Sequence, residues 1–178
     1  MKYCSNCAAE MGDVKVGNHP HCSACNTTHW KNPLPVAILL QPVLKDGKLG
    51  LVIGQRGIAP IGGWALPGGF MELGENITEA TIREMQEESG CDRDDFVLKH
   101  FADEVTPNGH LLIFMENETV WDEWTVGNLY FTEEMTNWAI TFGNGDYRSC
   151  FPLHHQVIND WFRRRYLGVV HDECICPT

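Results

Sequence analysis

The sequence carries no excess of positive charge. Its 178 residues contain 13 lysines and arginines against 24 aspartates and glutamates, so the formal net charge is −11. Broad, non-specific binding to nucleic acids or to anionic membranes normally needs a basic face, and this balance therefore argues against both kinds of partner. A local basic patch is still open, because Arg163, Arg164 and Arg165 follow one another near the C-terminus.

Long apolar runs are missing as well, and we expect no secretory leader. No uninterrupted apolar segment approaches the roughly 18 to 20 residues that a membrane-spanning helix needs. The N-terminal stretch MKYCSNCAAEMGD lacks the apolar centre of a signal peptide. We therefore expect a cytoplasmic protein with no membrane partner. The length is sufficient for one full core and a small appended module.

Cysteine, by contrast, is abundant for a cytoplasmic chain. Eight cysteines in a reducing compartment are better explained as free thiols or metal ligands than as a disulfide framework. Four of them form two C-x2-C pairs, Cys4 with Cys7 and Cys22 with Cys25. Two such pairs are typical of a closed structural zinc site, and the metal would supply the folding free energy that a short polar segment lacks. We predict a zinc ribbon over residues 1–32, with a disulfide-linked or redox-active module as the alternative.

The rest of the chain, residues 33–178, predicts one mixed α/β domain. Pro33 and Pro35 disfavour a helix at its start and mark the junction. The apolar, β-branched runs VAILLQPVL and LGLVIGQR surround the turn sequence KDGK, which predicts a β-hairpin. Pro42 in the first run is expected to restrict that strand to an edge or to introduce a bulge.

A helix is predicted over about residues 77–89, after a loop rich in glycine and proline. Asn76 is a favourable N-cap, Glu79 completes a capping box with it, and Gly90 suits the first position beyond the helix. Two strands are predicted next, in FVLKHFADEVT and GHLLIFMENETV, and a helix in PLHHQVINDWFRRRYL. The stretch LYFTEEMTNWAITFG fits neither a helix nor a strand clearly.

The predicted helix carries three glutamates on one face, because Glu84, Glu87 and Glu88 are spaced i, i+3 and i+4. Arg83 lies four residues before Glu87 and can hold a carboxylate by an ion pair. Carboxylates are the oxygen ligands that Mg2+ or Mn2+ prefer, and both ions also bind the phosphates of substrates. A solvated acidic face is the alternative explanation for such a cluster.

Residues 69–91 as a whole resemble the Nudix box, G-x5-E-x7-R-E-U-x-E-E-x-G-U, in which U is a bulky apolar residue. The matching positions are Gly69, Glu75, Arg83, Glu84, Met85, Glu87, Glu88 and Gly90. Cys91 stands at the last apolar place, as a small hydrophobic residue. With the cysteine pairs and the stretches THWKNP and GGWALPGGF, the chain is similar to the zinc-ribbon Nudix hydrolases, a group that includes ADP-ribose, FAD and NADH pyrophosphatases.

This resemblance implies a Nudix α/β/α sandwich with an N-terminal zinc ribbon. It also implies Mg2+- or Mn2+-dependent hydrolysis of a nucleoside diphosphate linked to another moiety, with release of a nucleoside monophosphate. The implied metal ligands are Glu84, Glu87, Glu88 and the carbonyl oxygen of Gly69. Glu75 would support the site, and Arg83 would orient the carboxylates. Related enzymes often form homodimers, so a homodimer is an expectation for this chain.

The substrate is predicted from weaker signals. The S-Q-P-W-P-F-P-x-S motif of related NADH pyrophosphatases does not occur in the sequence. Related ADP-ribose pyrophosphatases often carry a proline a set distance after the box, where this chain has Pro107. Arg56 could contact a phosphate, and Trp64 could stack on a nucleobase. We therefore expect a small-molecule dinucleotide substrate, ADP-ribose or FAD, that is hydrolysed to release AMP.

Two other functions stay open at this point. In the first, the same chemistry acts on NADH or on NAD-capped RNA. In the second, the protein is a nucleotide-sensing regulator that uses the box for binding and the ribbon for contact with a partner. Nucleic acid is a less favoured partner in either case because of the negative net charge.

For several further residues, no sequence pattern indicates a single functional role. The family implies a general base on a later loop, for which the candidates are Glu116, Glu118, Glu123, Glu133 and Glu134. Further aromatic candidates for stacking on adenine are Phe70, Trp121 and Trp124. His171, Cys174 and Cys176 could hold a second metal ion, but their spacing favours a frayed terminus.

Overall fold

The chain divides into two units, Met1–Pro33 and Leu34–Thr178, in the computed structural model. The backbone is described for residues 1–143 and 145–171, and side chains within these ranges are described as far as residue 165. Cys174 and Cys176 lie outside the described residues, and so does the side chain of His171. Among the helices of the described ranges, none has the length and apolar character needed to cross a membrane.

The first unit is built on a small antiparallel sheet. Its strands are β1 (Lys15–Val16), β2 (His19–Cys22) and β3 (Thr27–Thr28), in the order β1-β2-β3. Gly17 adopts the left-handed conformation, with φ at 58°, and allows the tight turn between β1 and β2. Cys22 ends β2, and Cys25 lies in the turn that leads to β3, so this hairpin presents the second cysteine pair.

The second unit contains two sheets and three helices within the described ranges. The strands are β4 (Leu34–Leu40), β5 (Pro42–Lys45), β6 (Lys48–Arg56), β7 (Trp64–Ala65), β8 (Gly68–Phe70), β9 (Leu98–Val105), β10 (His110–Asn117), β11 (Trp121–Asp122) and β12 (Met135–Thr141). The helices are α1 (Ile77–Ser89), α2 (Glu123–Gly127) and α3 (Pro152–His171). One sheet has the order β8-β4-β10-β9, and the other has the order β11-β5-β6-β12 with β7 paired to β6. Strands β4 and β10 run parallel, as do β5 and β11.

The run VAILLQPVL forms two strands rather than one, which corrects the predicted hairpin. Strand β4 pairs in the first sheet, and after Gln41 the chain enters β5, which pairs with β6 in the second sheet. The buried Gln41 side chain donates to the carbonyl oxygens of Pro42 and Thr119 at 2.9 Å, which fixes the crossing between sheets. The predicted turn is confirmed: Asp46 and Gly47 have φ of 49° and 71°, as a tight hairpin requires.

Both faces of the central strands are covered, which explains their unbroken apolar sequences. In β4, Ile38 and Leu40 pack into one core with Trp161 of α3. Leu39, between them, packs into a second core with Met85 of α1. Because successive side chains of a strand point to opposite faces, the helices must cover the sheets from opposite sides. The predicted α/β/α sandwich is therefore confirmed.

Helix α1 has the predicted bounds and caps. The Asn76 side-chain oxygen accepts hydrogen bonds from the backbone N–H groups of Thr78 at 2.9 Å and Glu79 at 3.1 Å. The Glu79 carboxylate in turn accepts the N–H of Asn76 at 2.8 Å. Gly90 ends the helix in the left-handed conformation, with φ at 62°. The helix that carries the acidic residues is therefore anchored at both ends.

Most of the other predicted elements are present. Two segments, the ambiguous stretch before residue 143 and the glycine-rich loop, contain strands that the sequence did not predict. Strands β9 and β10 and helix α3 lie where the sequence predicts them. The ambiguous stretch around residue 138 is strand β12, which pairs with β6. Part of the predicted glycine-rich loop forms β7 and β8. A Cβ atom at Gly68 would lie 2.1 Å from the carbonyl oxygen of Ala37, so the close pairing of β8 with β4 requires glycine there.

Candidate active site

The second unit contains a cavity of about 1270 Å³. Its walls come from β4, β8, α1, the loop between β9 and β10, the segment before β12 and the start of α3. The residues of the box that line it include Gly69, Arg83, Glu84, Glu87 and Glu88. The packing of β8 beside α1 thus brings the acidic helix face to a cavity with room for a cofactor-sized ligand.

Arg83 connects the acidic groups at the cavity wall. Its Nε and Nη2 donate to the two carboxylate oxygens of Glu75, at 2.9 and 2.7 Å. Its Nη1 donates to Glu84 at 2.8 Å and to Glu87 at 2.9 Å. A further bond from Nη2 to the Phe70 carbonyl oxygen, at 2.9 Å, ties the guanidinium to β8. The bidentate bond from Arg83 holds the pKa of Glu75 at about 2, so this carboxylate stays ionised and fixes the guanidinium.

Two carboxylates of the wall are held in a desolvated setting. Glu88 is 4% exposed, and its Oε2 accepts the Gly68 N–H at 3.0 Å. Burial, together with the charges of Glu84 and Glu134, raises the pKa of Glu88 to about 8. Burial also raises the pKa of Glu84, although Arg83 acts in the opposite direction. Buried carboxylates that repel one another are stabilised by a bound cation.

The chemistry of this wall fits a hard divalent cation. A Cβ atom at Gly69 would lie 2.4 Å from Oε2 of Glu84, so only glycine lets the backbone come this close to the carboxylate. In the described part of the chain, no three acidic side chains bring their oxygens within 4.8 Å of one another. Mg2+ usually keeps several water ligands and binds few protein oxygens directly. The glutamates and the Gly69 carbonyl are oxygen donors that Mg2+ or Mn2+ would accept.

Two of the predicted substrate-binding residues line the cavity. Pro107 lies in the loop between β9 and β10, and Arg56 ends β6. Nη2 of Arg56 donates to the Ala59 carbonyl oxygen at 2.7 Å, and its guanidinium carbon lies 5.1 Å from the ring centre of Phe151. The buried Nε of Arg56 has no hydrogen-bond partner among the described residues. Arg56 therefore retains donors for an anionic group in the cavity.

The structure does not bring Trp64 to the cavity. Its ring packs on Tyr147, with the ring centres 4.7 Å apart, beside the core that α3 closes. Trp121 is 2% exposed in the second core. Among the described residues that line the cavity, Phe70 is the one that belongs to the four aromatic candidates. Trp64 lies in a segment that its glycines predict to be a loop but that forms β7, so sequence spacing does not show which way its ring points.

The candidates for a general base separate into two groups. Glu133 and Glu134 lie on the cavity wall, in the segment before β12. The others are bound elsewhere: Glu116 to Trp161, Glu118 to Lys99 and Glu123 to Lys45. The fold therefore reduces five candidates to two neighbouring residues.

His154 lines the cavity although no sequence motif marks it. Its Nδ1 accepts the backbone N–H of Leu66 at 3.3 Å. Burial, followed by the charge of Arg56, lowers the pKa of His154 to about 3. Its position three and seven residues before Val157 and Trp161 places a polar residue on the apolar stripe of α3, and this is the signal that could have found it.

The first unit gathers the four predicted zinc ligands. The Sγ atoms of Cys4, Cys7, Cys22 and Cys25 all lie within 4.8 Å of one another. Cys4 and Cys25 are 3.6 Å apart, and Cys7 and Cys22 are 3.7 Å apart. A tetrahedral zinc ion with Zn–S bonds of about 2.3 Å separates its sulfurs by about 3.8 Å, so the donor set fits this metal. Nε2 of His29, a residue that the spacing does not mark, lies 3.3 Å from Sγ of Cys4.

Comparisons with known sequences agree with this geometry. The sequence profile of the NUDIX domain matches residues 34–158. An ADP-ribose pyrophosphatase of Methanocaldococcus jannaschii is 48% identical to this chain over 46 residues. That match covers 26% of this chain and 27% of the relative, so the chain spans about a quarter of the length of the protein it matches.

Solved structures share the fold. The NUDIX hydrolase from Nitrosomonas europaea superposes with a TM-score of 0.64 at 20% identity, over 94% of each chain. The NUDIX domain of Shewanella oneidensis NrtR complexed with ADP ribose has a TM-score of 0.60 at 14% identity, over 77% of this chain and 90% of that one. At these identities the likeness establishes the fold alone. Since the domain profile matches most of its length, the chain belongs to the NUDIX family.

Proposed function

We propose that the protein uses Mg2+ or Mn2+ to hydrolyse the pyrophosphate bond of a nucleoside diphosphate derivative, ADP-ribose or FAD, with release of AMP. The observation that carries this proposal is the pair of carboxylates, buried Glu88 and half-buried Glu84, on the wall of a cavity with room for a dinucleotide. The partial match to an ADP-ribose pyrophosphatase supports the choice of ADP-ribose.

The carboxylates of α1 are the groups that would hold the cation. When bound, a divalent ion neutralises phosphate oxygens and lowers the pKa of a coordinated water, which makes that water a nucleophile near neutral pH. The residues in position to hold it are Glu84, Glu87, Glu88 and the carbonyl of Gly69. Arg83 holds Glu84 and Glu87 in one arrangement, and Glu75 keeps Arg83 in place.

Proton transfer and substrate binding fall to residues on the facing walls. Glu133 or Glu134 would accept the proton of the attacking water, and the one whose change to glutamine lowers kcat by about 100-fold or more is the base. Arg56 would donate to a phosphate oxygen of the substrate. Pro107 and Phe70 form an apolar part of the cavity wall beside the box, and a nucleoside can pack against this part.

We also propose that residues 1–32 form a zinc ribbon and residues 33–178 form the hydrolase domain. The spacing of the four cysteine sulfurs supports zinc as the metal of the first unit. The six cysteines within the described ranges form no disulfide with one another, which supports a reducing compartment and a cytoplasmic location.

The proposal is tested by incubating the purified protein with ADP-ribose, FAD or NADH, with and without Mg2+, and measuring AMP by chromatography. We expect release of AMP from ADP-ribose or FAD only with the cation. Glu88→Gln should lower kcat by about 100-fold or more, because it removes a buried metal ligand. Glu118→Gln is the matched control, since Glu118 pairs with Lys99 away from the cavity and should leave the rate unchanged.

Each alternative has its own outcome in this experiment. Preferential cleavage of NADH would favour the NADH or RNA-cap substrate. Binding of a nucleotide without release of AMP would favour the regulator. Equal rates for the protein and its Glu88→Gln variant would refute the role given to the carboxylate cluster.

A further inference from the structure

The start of α3 adds a donor to the cavity that the proposed mechanism does not use. His154 lines the wall and is 7% exposed. Its ring packs against two aromatic rings, with centre distances of 5.6 Å to Phe114 and 5.0 Å to Phe151. Because these contacts hold the ring, its two nitrogens point in set directions.

The bond to Leu66 determines which ring nitrogen carries the proton. Nδ1 accepts the Leu66 N–H at 3.3 Å, so the neutral ring of His154 carries its proton on Nε2. The lowered pKa of His154, about 3, keeps the ring neutral at pH 7. Within the described residues, Nε2 has no hydrogen-bond partner, and the side chain lines the cavity. The Nε2–H is therefore a free donor at the cavity wall.

Arg56 adds charged donors to the same wall. Its guanidinium carbon lies 5.1 Å from the ring centre of Phe151, and the ring of His154 lies 5.0 Å from the same centre, so both residues border one part of the cavity. Its Nε is buried without a partner in the described part of the chain. Neither the guanidinium nor the Nε2–H of His154 can accept a hydrogen bond, so this part of the wall selects acceptor atoms.

We propose that His154, through Nε2–H, forms with Arg56 a subsite that binds an acceptor oxygen of the substrate beside the metal-binding carboxylates. The subsite rests on the proposed function, because its ligand is the phosphate-containing substrate of the same cavity. Phosphoryl oxygens and oxygens of the nucleoside portion share this acceptor chemistry. His154 is a substrate-binding residue in this scheme and takes no part in proton transfer.

Two substitutions of His154 test the Nε2–H donor separately from the hydrogen bond between Nδ1 and Leu66. His154→Asn keeps an acceptor near the Nδ1 position but loses the distal donor, whereas His154→Gln places an amide N–H near the Nε2 position. The measurements are KM and kcat for ADP-ribose with Mg2+. We expect His154→Asn to raise KM about tenfold with a smaller change in kcat, and His154→Gln to stay within about threefold of the parent protein.

The adjacent histidine provides the control. His155 is the next residue of α3. It is not among the described residues that line the cavity, so His155→Gln should leave KM unchanged. Equal effects of the two His154 substitutions, or a larger effect of His154→Gln, would overturn the subsite. In that case the bond to Leu66, rather than the donor, is what the residue provides.

Binding measurements distinguish failure of the subsite from failure of the proposed function. If the protein releases no AMP, the hydrolase proposal fails, and calorimetric titration with ADP-ribose still tests the subsite. A dissociation constant raised about tenfold by His154→Asn alone supports it, and no difference overturns it. Inorganic pyrophosphate and adenosine, used as competitors, show the source of the oxygen. Weakened competition by pyrophosphate assigns a phosphoryl oxygen, weakened competition by adenosine assigns the nucleoside, and unchanged competition by both overturns the subsite.

Discussion

The buried carboxylate of Glu88 is needed for the proposed function but destabilises the metal-free protein when it is ionised. Its carboxylate is buried and accepts one backbone N–H, and burial raises its pKa from 4.5 to about 8. Because the folded state binds this proton more tightly than the unfolded chain does, the free energy of unfolding decreases as pH rises from about 4.5 to about 8. Above that range the metal-free protein keeps a buried charge that a bound cation would neutralise.

Glu88→Gln should therefore stabilise the metal-free protein at high pH while it removes activity. At pH 8, in the presence of a chelator, we expect the free energy of unfolding to increase by about 1–2 kcal/mol. At pH 5 the gain should be much smaller, because Glu88 is already protonated in the folded state. Urea denaturation at both pH values measures the difference.

The neighbouring glutamate is the control for this prediction. The side chain of Glu87 is 61% exposed, and exposed ion pairs contribute little to stability, so Glu87→Gln should change the free energy of unfolding at pH 8 much less than Glu88→Gln does. A loss of stability on Glu88→Gln at pH 8 would show that the ionised carboxylate is well accommodated without metal.

At the scale of elements, the site depends on how closely β8 approaches α1. A Cβ atom at Gly69 would collide with the carboxylate of Glu84, at 2.4 Å from Oε2. The caps at Asn76 and Gly90 fix the ends of α1, and Arg83 bonds both to β8 and to the glutamates. Strand, loop and helix therefore form one unit in which the backbone and the carboxylates face the same space.

Gly69→Ala should disturb this unit without unfolding the domain. The added methyl group displaces the Glu84 carboxylate, so we expect the rate of AMP release to fall at least about tenfold and the Mg2+ concentration for half-maximal rate to increase. A Mg2+ titration of the initial rate measures both effects.

A glycine in helix α2 supplies the comparison. A Cβ atom added at Gly127 in α2 would meet no heavy atom of the described residues within 4 Å, so Gly127→Ala should leave the titration unchanged. If Gly69→Ala has the same metal dependence as the parent protein, the close approach of β8 to Glu84 is not needed for cation binding.

At the scale of the whole molecule, the two units are stabilised by different means. In the first unit, the buried hydrophobic residues are Cys4 and Cys22, which belong to the cysteine cluster itself. A unit of this size with no apolar core needs another source of folding free energy, which a metal bound by the four cysteines would supply under our proposal. The second unit has two apolar cores, one on each side of its sheets, and needs no such support.

Cys22→Ser should therefore affect the first unit selectively. We expect zinc content, measured by mass spectrometry of the purified protein, to fall from about one per chain to well below one. Hydrogen exchange should become faster throughout residues 1–33, while the cores of the second unit stay protected.

Cys150→Ser is the control, because Cys150 lies outside the cluster and should keep both zinc content and exchange unchanged. Undiminished zinc in the Cys22→Ser protein would contradict the four-sulfur site. Loss of protection in both units would contradict their separate sources of stability.

The sequence by itself determined the features that depend on neighbouring residues. The caps of α1 join residues two or three apart, and the acidic face needs only the helical period. The cysteine pairs also depend on neighbouring residues, because each C-x2-C turn brings its two sulfurs together locally. For such features the spacing in the chain is the spacing in the structure, which is why the box and the closeness of the two sulfurs in each cysteine pair could be predicted.

Only the tertiary structure decided which distant residues share the cavity. The chain crosses between sheets at Gln41 because its side chain bonds to Thr119, which lies 78 residues away. The place of His154 on the cavity wall depends on the packing of α3 against the first core, and that of Glu134 on the approach of β12 to β6. These positions follow from long-range strand pairing and from covering both faces of the sheets, and no local pattern encodes either.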